Sequence, residues 1–223
     1  MTQIKLSEHS RKHDAIILAA SELFVSRGYD GVSMEVIAEA ANVSRQTIYN
    51  QFESKEALFR AIIDELVDEF MEPLARASRD ANVRETLIAF AEHTLGLLVR
   101  RKFVALYRLS LTETDRFPDF CPTVYKAGAQ RAQETVAEYL REQAQNGHLE
   151  LADPFVAAGH FMALTCRDTE LKALFGVESR LSSQEIRRRA KAGVAAFLKA
   201  YGTNDLTMSL RETRTNRRPL RRA

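Results

Sequence analysis

Residues 33–59 read SMEVIAEAANVSRQTIYNQFESKEALF, and this stretch decides the fold of the N-terminal part of the chain. It contains two short candidate helices joined by a turn of about four residues. A serine precedes each helix, Ser33 and Ser44, and a serine hydroxyl is a common cap for the first backbone N–H groups of a helix. The apolar residues able to form a shared core are Ile37, Ala41, Val43 and Ile48. The pattern predicts a helix-turn-helix.

The turn between the two helices has the residues that such a turn needs. Ala38 is small, and it lies where the two helices must approach closely. Asn42 occupies the position where glycine is most common, and asparagine is the next best residue at a positive φ angle. We therefore expect Asn42 to adopt the left-handed conformation.

The second helix of this pair presents a polar outer face. With Ile48 pointing inward and about 100° of rotation per residue, Gln46 and Asn50 point most directly outward. Arg45 and Tyr49 flank them on one side and Thr47 on the other. Arginine can pair with guanine, and glutamine or asparagine with adenine, while hydroxyls and lysine bind phosphate. This chemistry favours a helix that enters the major groove of DNA; the alternative is an ordinary solvated helix surface.

The rest of the chain also predicts helices and no convincing strand. A first helix covers about residues 10 to 27 and ends before Gly28, and a long helix starts after Ser54 and extends to about Pro73. Further helices are expected at about 83–100, 102–114, 122–145, 153–168 and 182–201. Asp153-Pro154 is a helix-start pair, and Ser182 with Glu185 predicts a capping box. The predicted fold class is all-α, with an N-terminal three-helix helix-turn-helix domain and a larger C-terminal helical domain.

Composition narrows the class of protein without identifying a partner. The chain has 223 residues, a net charge of +2 and two cysteines, too few for a disulfide framework. It shows no apolar run long enough to span a bilayer and no signal-peptide pattern, so we expect a cytoplasmic globular protein with no membrane partner. Residues 1–55 carry six basic and seven acidic residues, a net charge of -1. DNA recognition would then depend on placement, with Arg45 and Lys55 on the binding face and Glu35 and Glu39 pointing elsewhere.

Residues 11–70, and above all Ser33 to Phe59, resemble the DNA-binding domain of the TetR family of bacterial transcriptional regulators. The matching pieces are the A-x-x-A-x-V-S turn, the T-I-Y-x-x-F helix and the S-K-E-x-L start of the next helix. The segments LSLTETDRFPDF (109–120) and NGHLELADP (146–154) resemble the C-terminal domain of the AefR-like branch. The resemblance implies a homodimeric repressor that binds a palindromic double-stranded DNA operator and is released when a small-molecule effector occupies its C-terminal domain.

The resemblance also assigns roles to residues of the helix-turn-helix. Arg45, Gln46 and Tyr49 would contact bases. The residues expected to contact the DNA backbone are Ser33, Ser44, Thr47, Asn50, Gln51 and Lys55.

The expected domain organisation follows the same resemblance. Residues 1–55 form the DNA-binding domain, a helix over about 54–73 links it to the rest, and residues 74–201 form the ligand-binding and dimerisation domain. Residues 202–223 carry six arginines and two acidic residues, and we expect this basic tail to be disordered.

The helices predicted at about 153–168 and 182–201 each carry a stripe of apolar and small residues at helical spacing. Such a stripe fits either the core of one chain or a dimer interface. The family resemblance favours the interface. The candidates are Phe155, Gly159, Met162, Ile186, Ala190, Gly193, Val194, Phe197 and Tyr201.

Aromatic and polar residues within the apolar helices are candidates for lining a ligand pocket. Each is individually more typical of ordinary packing, because buried aromatic residues mostly fill cores. The candidates are Phe90, His93, Phe103, Tyr107, Tyr125, His160, Phe161 and Arg167.

The sequence argues against an enzyme. It has no H-E-x-x-H, no Cys-x-x-Cys and no glycine-rich phosphate loop, so we expect no catalytic residue, no metal and no cofactor. Two alternatives remain open: a redox-responsive regulator acting through Cys121 or Cys166, and a helical adaptor that does not bind DNA.

Overall fold

The structure, a computed structural model, describes residues 2–77, 81–112 and 120–203. These residues are helical with no strand, and an isolated antiparallel bridge joins Leu149 to Gly202. The helices are α1 (Thr2–Arg27), α2 (Met34–Ala40), α3 (Arg45–Gln51), α4 (Lys55–Ala75), α5 (Val83–Leu98), α6 (Arg101–Thr112), α7 (Phe120–Tyr125), α8 (Arg131–Gln145), α9 (Pro154–Thr165), α10 (Arg167–Leu174) and α11 (Ser183–Tyr201). The all-helical class predicted from the sequence is confirmed.

Side-chain caps start the helices at the predicted places. Ser33, Ser44, Ser54, Asp153 and Ser182 each accept a hydrogen bond from a backbone N–H in the first turn of the following helix. Each cap pairs a backbone donor that the helix itself leaves unpaired. The caps explain why these boundaries can be read from the sequence.

The capping box predicted at the start of α11 forms only in part. Ser182 accepts from the Glu185 N–H at 3.2 Å, but the Glu185 carboxylate accepts hydrogen bonds from Arg188 and Arg189 further along the helix. These hydrogen bonds from Arg188 and then Arg189 lower the pKa of Glu185 to about 2.

Several helix boundaries differ from the prediction. Helix α1 begins at Thr2, well before residue 10, because residues 2–9 contain no glycine or proline that would stop a helix. Helix α10 was not predicted, since its sequence RDTELKAL is polar and has no apolar stripe. The single helix predicted over 122–145 is interrupted by a π-helical turn at Lys126–Gln130.

Close packing accounts for the glycine in the π-helical turn. A Cβ atom added at Gly128 would lie 3.2 Å from Cγ2 of Ile63 on α4. Arg131, just after the turn, donates to the Asp64 carboxylate at 3.2 Å and to the Asp68 carboxylate at 2.6 Å. The turn and Arg131, the first residue of α8, are therefore attached to α4 by both packing and charge.

The chain divides into two compact units. The first contains the residues up to Glu69 together with residues 98–131 and 173–179, and the second contains residues 70–97, 132–172 and those from Arg180 onward. The basic tail predicted at 202–223 lies outside the described residues from position 204, and so does most of the segment 109–120 that carries the AefR-like resemblance.

An aromatic cluster forms the core of the first unit around the predicted helix-turn-helix. Phe24, Tyr29 and Phe59 are almost fully buried, with ring centroids 5.4–5.7 Å apart. Ile37 and Ile48 are fully buried in the same cluster, with Ala41 and Val43 packed against it. The shared core predicted for the two short helices is present.

In the second unit, α9 packs directly on α11. The Phe161 ring lies 5.9 Å from that of Phe90 and 5.2 Å from that of Phe197. A Cβ atom added at Gly193 would lie 2.7 Å from the carbonyl oxygen of Leu164, so glycine permits the close approach of the two helices.

This packing reassigns part of the stripe that the resemblance placed at a dimer interface. Ala190, Gly193, Val194 and Phe197 are buried inside one chain, against α9, and cannot reach a second copy from there. These four residues of the α11 stripe thus belong to an intrachain core, the alternative that periodicity alone had left open.

Within the described ranges, no helix is both long and apolar enough to cross a membrane.

Candidate nucleic-acid interface

The turn between α2 and α3 has the predicted geometry. Asn42 has a φ angle of 53°, in the left-handed region. The Val43 N–H donates to the Ala38 carbonyl at 2.9 Å, and the Asn42 N–H donates to that of Glu39 at 3.0 Å. These bonds satisfy the end of α2 and set the direction in which α3 begins.

Helix α3 turns the predicted face outward. Ile48 is fully buried, whereas Arg45, Gln46, Tyr49 and Asn50 are exposed. Thr47, the fifth polar position of this face, is half-buried. The structure thus brings the candidate base-contacting residues together on one surface.

In the free protein, the polar side chains of this surface are paired with one another. The Gln46 amide donates to Oδ1 of Asn50 at 2.7 Å, and the hydroxyls of Ser44 and Thr47 lie 2.8 Å apart. A hydroxyl that accepts a hydrogen bond keeps its own hydrogen, so capping by Ser33 and Ser44 is compatible with donation to a phosphate.

An acidic residue lies at the edge of this surface. Oε1 of Glu35 is 3.4 Å from the Tyr49 hydroxyl, which donates to it. Hydrogen bonds from its own backbone N–H and from Ser33 lower the pKa of Glu35, and the nearby Arg45 charge lowers it further. The expectation that Glu35 points away from the DNA-binding face is wrong, because its carboxylate meets Tyr49 on the exposed face of α3. The sequence does not show how the start of α2 lies against α3.

Lys55 has a structural role that sequence reasoning missed. Its ammonium group donates to the backbone carbonyls of Tyr29 and Val32, at 3.0 and 3.1 Å, and lies 4.2 Å from the centroid of the Tyr29 ring. These contacts attach the segment before α2 to the start of α4. An ammonium group has three N–H donors, so one remains for the predicted phosphate contact.

We expect the Lys55→Met variant to lower the free energy of unfolding by about 1–3 kcal/mol, because hydrogen bonds made by a charged group are lost. Urea unfolding at fixed protein concentration measures this effect. The matched control is Lys126→Met, which removes an exposed lysine from the same unit. Unchanged stability combined with weaker binding to every DNA sequence would instead make phosphate contact the main role of Lys55.

Gln51 lies beside a cleft formed by the end of α3 and the first half of α4. The cleft has a volume of about 520 Å³, and Arg60 and Asp64 are among the residues that line it. Oε1 of Gln51 is buried without a hydrogen-bond partner, so only its amide NH₂ is available for the predicted DNA-backbone contact.

The structure does not bring the eight pocket candidates together within one unit. Phe103, Tyr107 and Tyr125 belong to the first unit, and the other five belong to the second. Phe90 and Phe161 fill the core, whereas Tyr125 is 60% exposed. His160 hydrogen-bonds the Tyr201 hydroxyl, and Arg167 pairs with Glu170 on the surface.

Among the described residues, no group of His, Cys, Asp or Glu side chains could hold a metal ion.

The two cysteines differ in accessibility. Burial raises the pKa of the Cys166 thiol to about 12, whereas Cys121 is half-buried and donates to the Ser110 carbonyl at 3.4 Å. Because the thiolate is the reactive form, Cys166 should stay inert in the folded protein at neutral pH.

A thiol reagent should modify at most one cysteine per chain in buffer and both in denaturant. Rapid modification of Cys166 in buffer would contradict its burial.

Family models match most of the chain. Residues 16–62 match the model of bacterial regulatory proteins of the tetR family, and residues 85–203 match that of the C-terminal domain of AefR-like transcriptional repressors. The second match alone covers more than half of the 223 residues. The chain belongs to the TetR family. The resemblance stated from the sequence, including its AefR-like branch, is confirmed.

Solved structures of TetR-type proteins cover nearly the same length. The flavonoid-responsive regulator FrrA is 34% identical, with a TM-score of 0.71, over 87% of this chain and 99% of its own. A TetR-family regulator from Mesorhizobium loti MAFF303099 is 31% identical, with a TM-score of 0.72, over 87% and 98%. The activator FasR of Mycolicibacterium smegmatis is 39% identical over 64 residues, only 29% of each chain.

This TetR-family protein is therefore a DNA-binding transcriptional regulator. Members of the TetR family are regulators and not enzymes, so the prediction that this chain is not an enzyme is confirmed.

Proposed function

We propose that this TetR-family regulator is a homodimeric repressor that leaves its operator when a small molecule occupies the C-terminal half of the chain. The observation that carries the dimer is the character of α9. Its sequence, PFVAAGHFMALT, contains no Asp, Glu, Lys or Arg. A helix that is apolar on every face is normally covered on every face.

One side of α9 is not covered by the other described residues. Phe155, Val156 and Leu164 are 41%, 48% and 48% exposed, while Ala157, Ala158 and Phe161 are buried. Helix α11 of the same chain, which packs on α9, also has three exposed alanines: Ala192, Ala195 and Ala196. We infer that the outer faces of α9 and α11 pack on the same faces of a second copy, as a twofold interface requires. Of the interface candidates from the sequence, Phe155 is exposed on this outer face, and four others are half-buried and stay candidates: Gly159, Met162, Ile186 and Tyr201.

Helix α3 supports a direct reading of the operator. Its exposed Arg45, Gln46 and Tyr49 have the donors and acceptors that match base edges in a major groove. Two copies of α3 related by a twofold axis would read two half-sites about 10 base pairs apart or a multiple of that distance. The operator should then be an inverted repeat.

We infer repression, and not activation, from the family model that matches the C-terminal residues. Residues 85–203 match a domain of transcriptional repressors, whereas the alignment with the activator FasR covers only 64 residues. FrrA, similar over most of the chain, is flavonoid-responsive. We therefore expect repression that a small molecule relieves, and linkage requires the operator to weaken effector binding by the same factor.

Sedimentation of the full chain with a DNA fragment from its own upstream region tests the proposal. We expect two chains, or a multiple of two, on each DNA site, and a dimer without DNA. Flavonoids, the class to which FrrA responds, are the first effector probes for releasing the DNA. A monomer at micromolar concentration, or one chain per site, would contradict the proposed dimer.

A further inference from the structure

An acidic side chain, Glu35, lies at the edge of the exposed face of α3. The Glu35 carboxylate lies at the start of α2, 14 positions before Tyr49 in sequence, and it accepts a hydrogen bond from the Tyr49 hydroxyl at 3.4 Å. Tyr49 itself is 45% exposed on α3. The carboxylate therefore lies next to a side chain that we assign to base contacts, and Arg45 is close enough to act on its charge.

This carboxylate is ionised at neutral pH. Its pKa is lowered by hydrogen bonds from its own backbone N–H and from Ser33, with further contributions from Arg45 and Tyr49. An ionised carboxylate can only accept hydrogen bonds. It differs in this respect from the amides of Gln46 and Asn50, which can donate or accept.

Duplex DNA offers few partners to such a group. The phosphates are negative, and most atoms in the major groove are acceptors, namely N7 and O6 of guanine, N7 of adenine and O4 of thymine. The donors are the amino groups of cytosine N4 and adenine N6, and carboxylates typically accept from cytosine N4. Each base pair carries one of these amino groups, on the adenine or cytosine of one strand. Where the base beside the carboxylate is guanine or thymine, the carboxylate would face acceptors and be repelled.

We propose that Glu35 is a specificity-determining residue: beside the Tyr49 contact it accepts from cytosine, or less well from adenine, on the contacted strand, and it disfavours guanine or thymine at that position by repulsion. The inference rests on the proposed placement of α3 in the major groove. Arg45 and Gln46 would favour the correct bases by attraction. Glu35 would act differently, because much of its discrimination comes from weakening the binding of wrong sites.

The test compares wild type with Glu35→Gln on DNA selected by the wild-type full chain. The amide can still accept from Tyr49 but loses the charge. We expect the preference for an amino-bearing base at one position of each half-site to fall from at least about fivefold to less than about twofold. Random DNA should be bound about two- to fivefold more tightly, because a repulsion is removed.

Glu22→Gln is the matched control. Glu22 is exposed on α1, outside α2 and α3, and the substitution changes the net charge by the same amount. It should leave base preference at every position unchanged. Thermal unfolding of both variants checks that each is folded.

The outcomes separate this inference from the proposed function. If wild type selects no DNA sequence, the placement of α3 itself fails. If wild type selects an operator but Glu35→Gln keeps every base preference and the same affinity for random DNA, the role of Glu35 is overturned. Equal gains in affinity for Glu35→Gln and Glu22→Gln would also overturn it, because they would reflect net charge alone.

Discussion

Replacing Arg45 with alanine is expected to weaken operator binding by about 1–3 kcal/mol in each half-site, because a good arginine–guanine pair contributes that much discrimination. In a dimer the two losses should nearly add, since the half-sites are distant and independent, giving about 2–6 kcal/mol. The guanidinium is exposed at the start of α3, beside Gln46 and on the same surface as Tyr49. The loss should be concentrated at one base pair per half-site.

Gel-shift titrations on the operator and on operators changed at single base pairs measure this loss. The control is Arg76→Ala, which removes an exposed arginine paired with Glu72 in the second unit and should leave affinity unchanged. If Arg45→Ala weakened binding to operator and random DNA by the same factor, Arg45 would be a phosphate contact and not a base contact.

Replacing Gly193 with alanine should lower the free energy of unfolding by about 1–3 kcal/mol, because the site has no room for a methyl group. The added Cβ would meet the Leu164 carbonyl oxygen at 2.7 Å and the Thr165 Cα at 2.9 Å. Both neighbours are backbone atoms of the α9 region and cannot move aside as a flexible side chain can. Denaturant unfolding at fixed protein concentration measures the change, since dimer stability depends on concentration.

Gly96→Ala is the matched control in the same unit. There the added Cβ would lie 4.0 Å from Cδ1 of Ile186, an ordinary contact. Because alanine favours helix more than glycine, this variant should gain about 0.5–1 kcal/mol. If Gly193→Ala instead raised the dimer dissociation constant and left unfolding of the chain unchanged, Gly193 would belong to the subunit interface and the intrachain packing would be contradicted.

The helix-turn-helix could be predicted almost completely because its signals are local. Ser33 and Ser44 cap their helices within three residues, and Asn42 supplies the positive φ angle by itself. The outward direction of Gln46 and Asn50 follows from helical geometry once Ile48 is known to be buried. None of these inferences needs knowledge of distant contacts.

Contacts between distant residues account for what the sequence did not reveal. Lys55 reaches carbonyls 23 and 26 positions away, and Glu35 meets Tyr49 14 positions along the chain. Periodicity located the apolar stripe containing Val194 and Phe197, but it cannot say whether the stripe packs on its own chain or on another. The burial of Val194 and Phe197 against α9 shows that these two residues pack on their own chain.

Selection of random double-stranded DNA by the full wild-type chain, at about 0.15 M salt, tests the central claim most directly. If two copies of α3 read bases from a twofold dimer, the recovered sequences should share an inverted repeat with half-site centres about 10 base pairs, or a multiple of that, apart. Recovery of DNA with no common sequence, or of a single half-site bound by one chain, would contradict the claim.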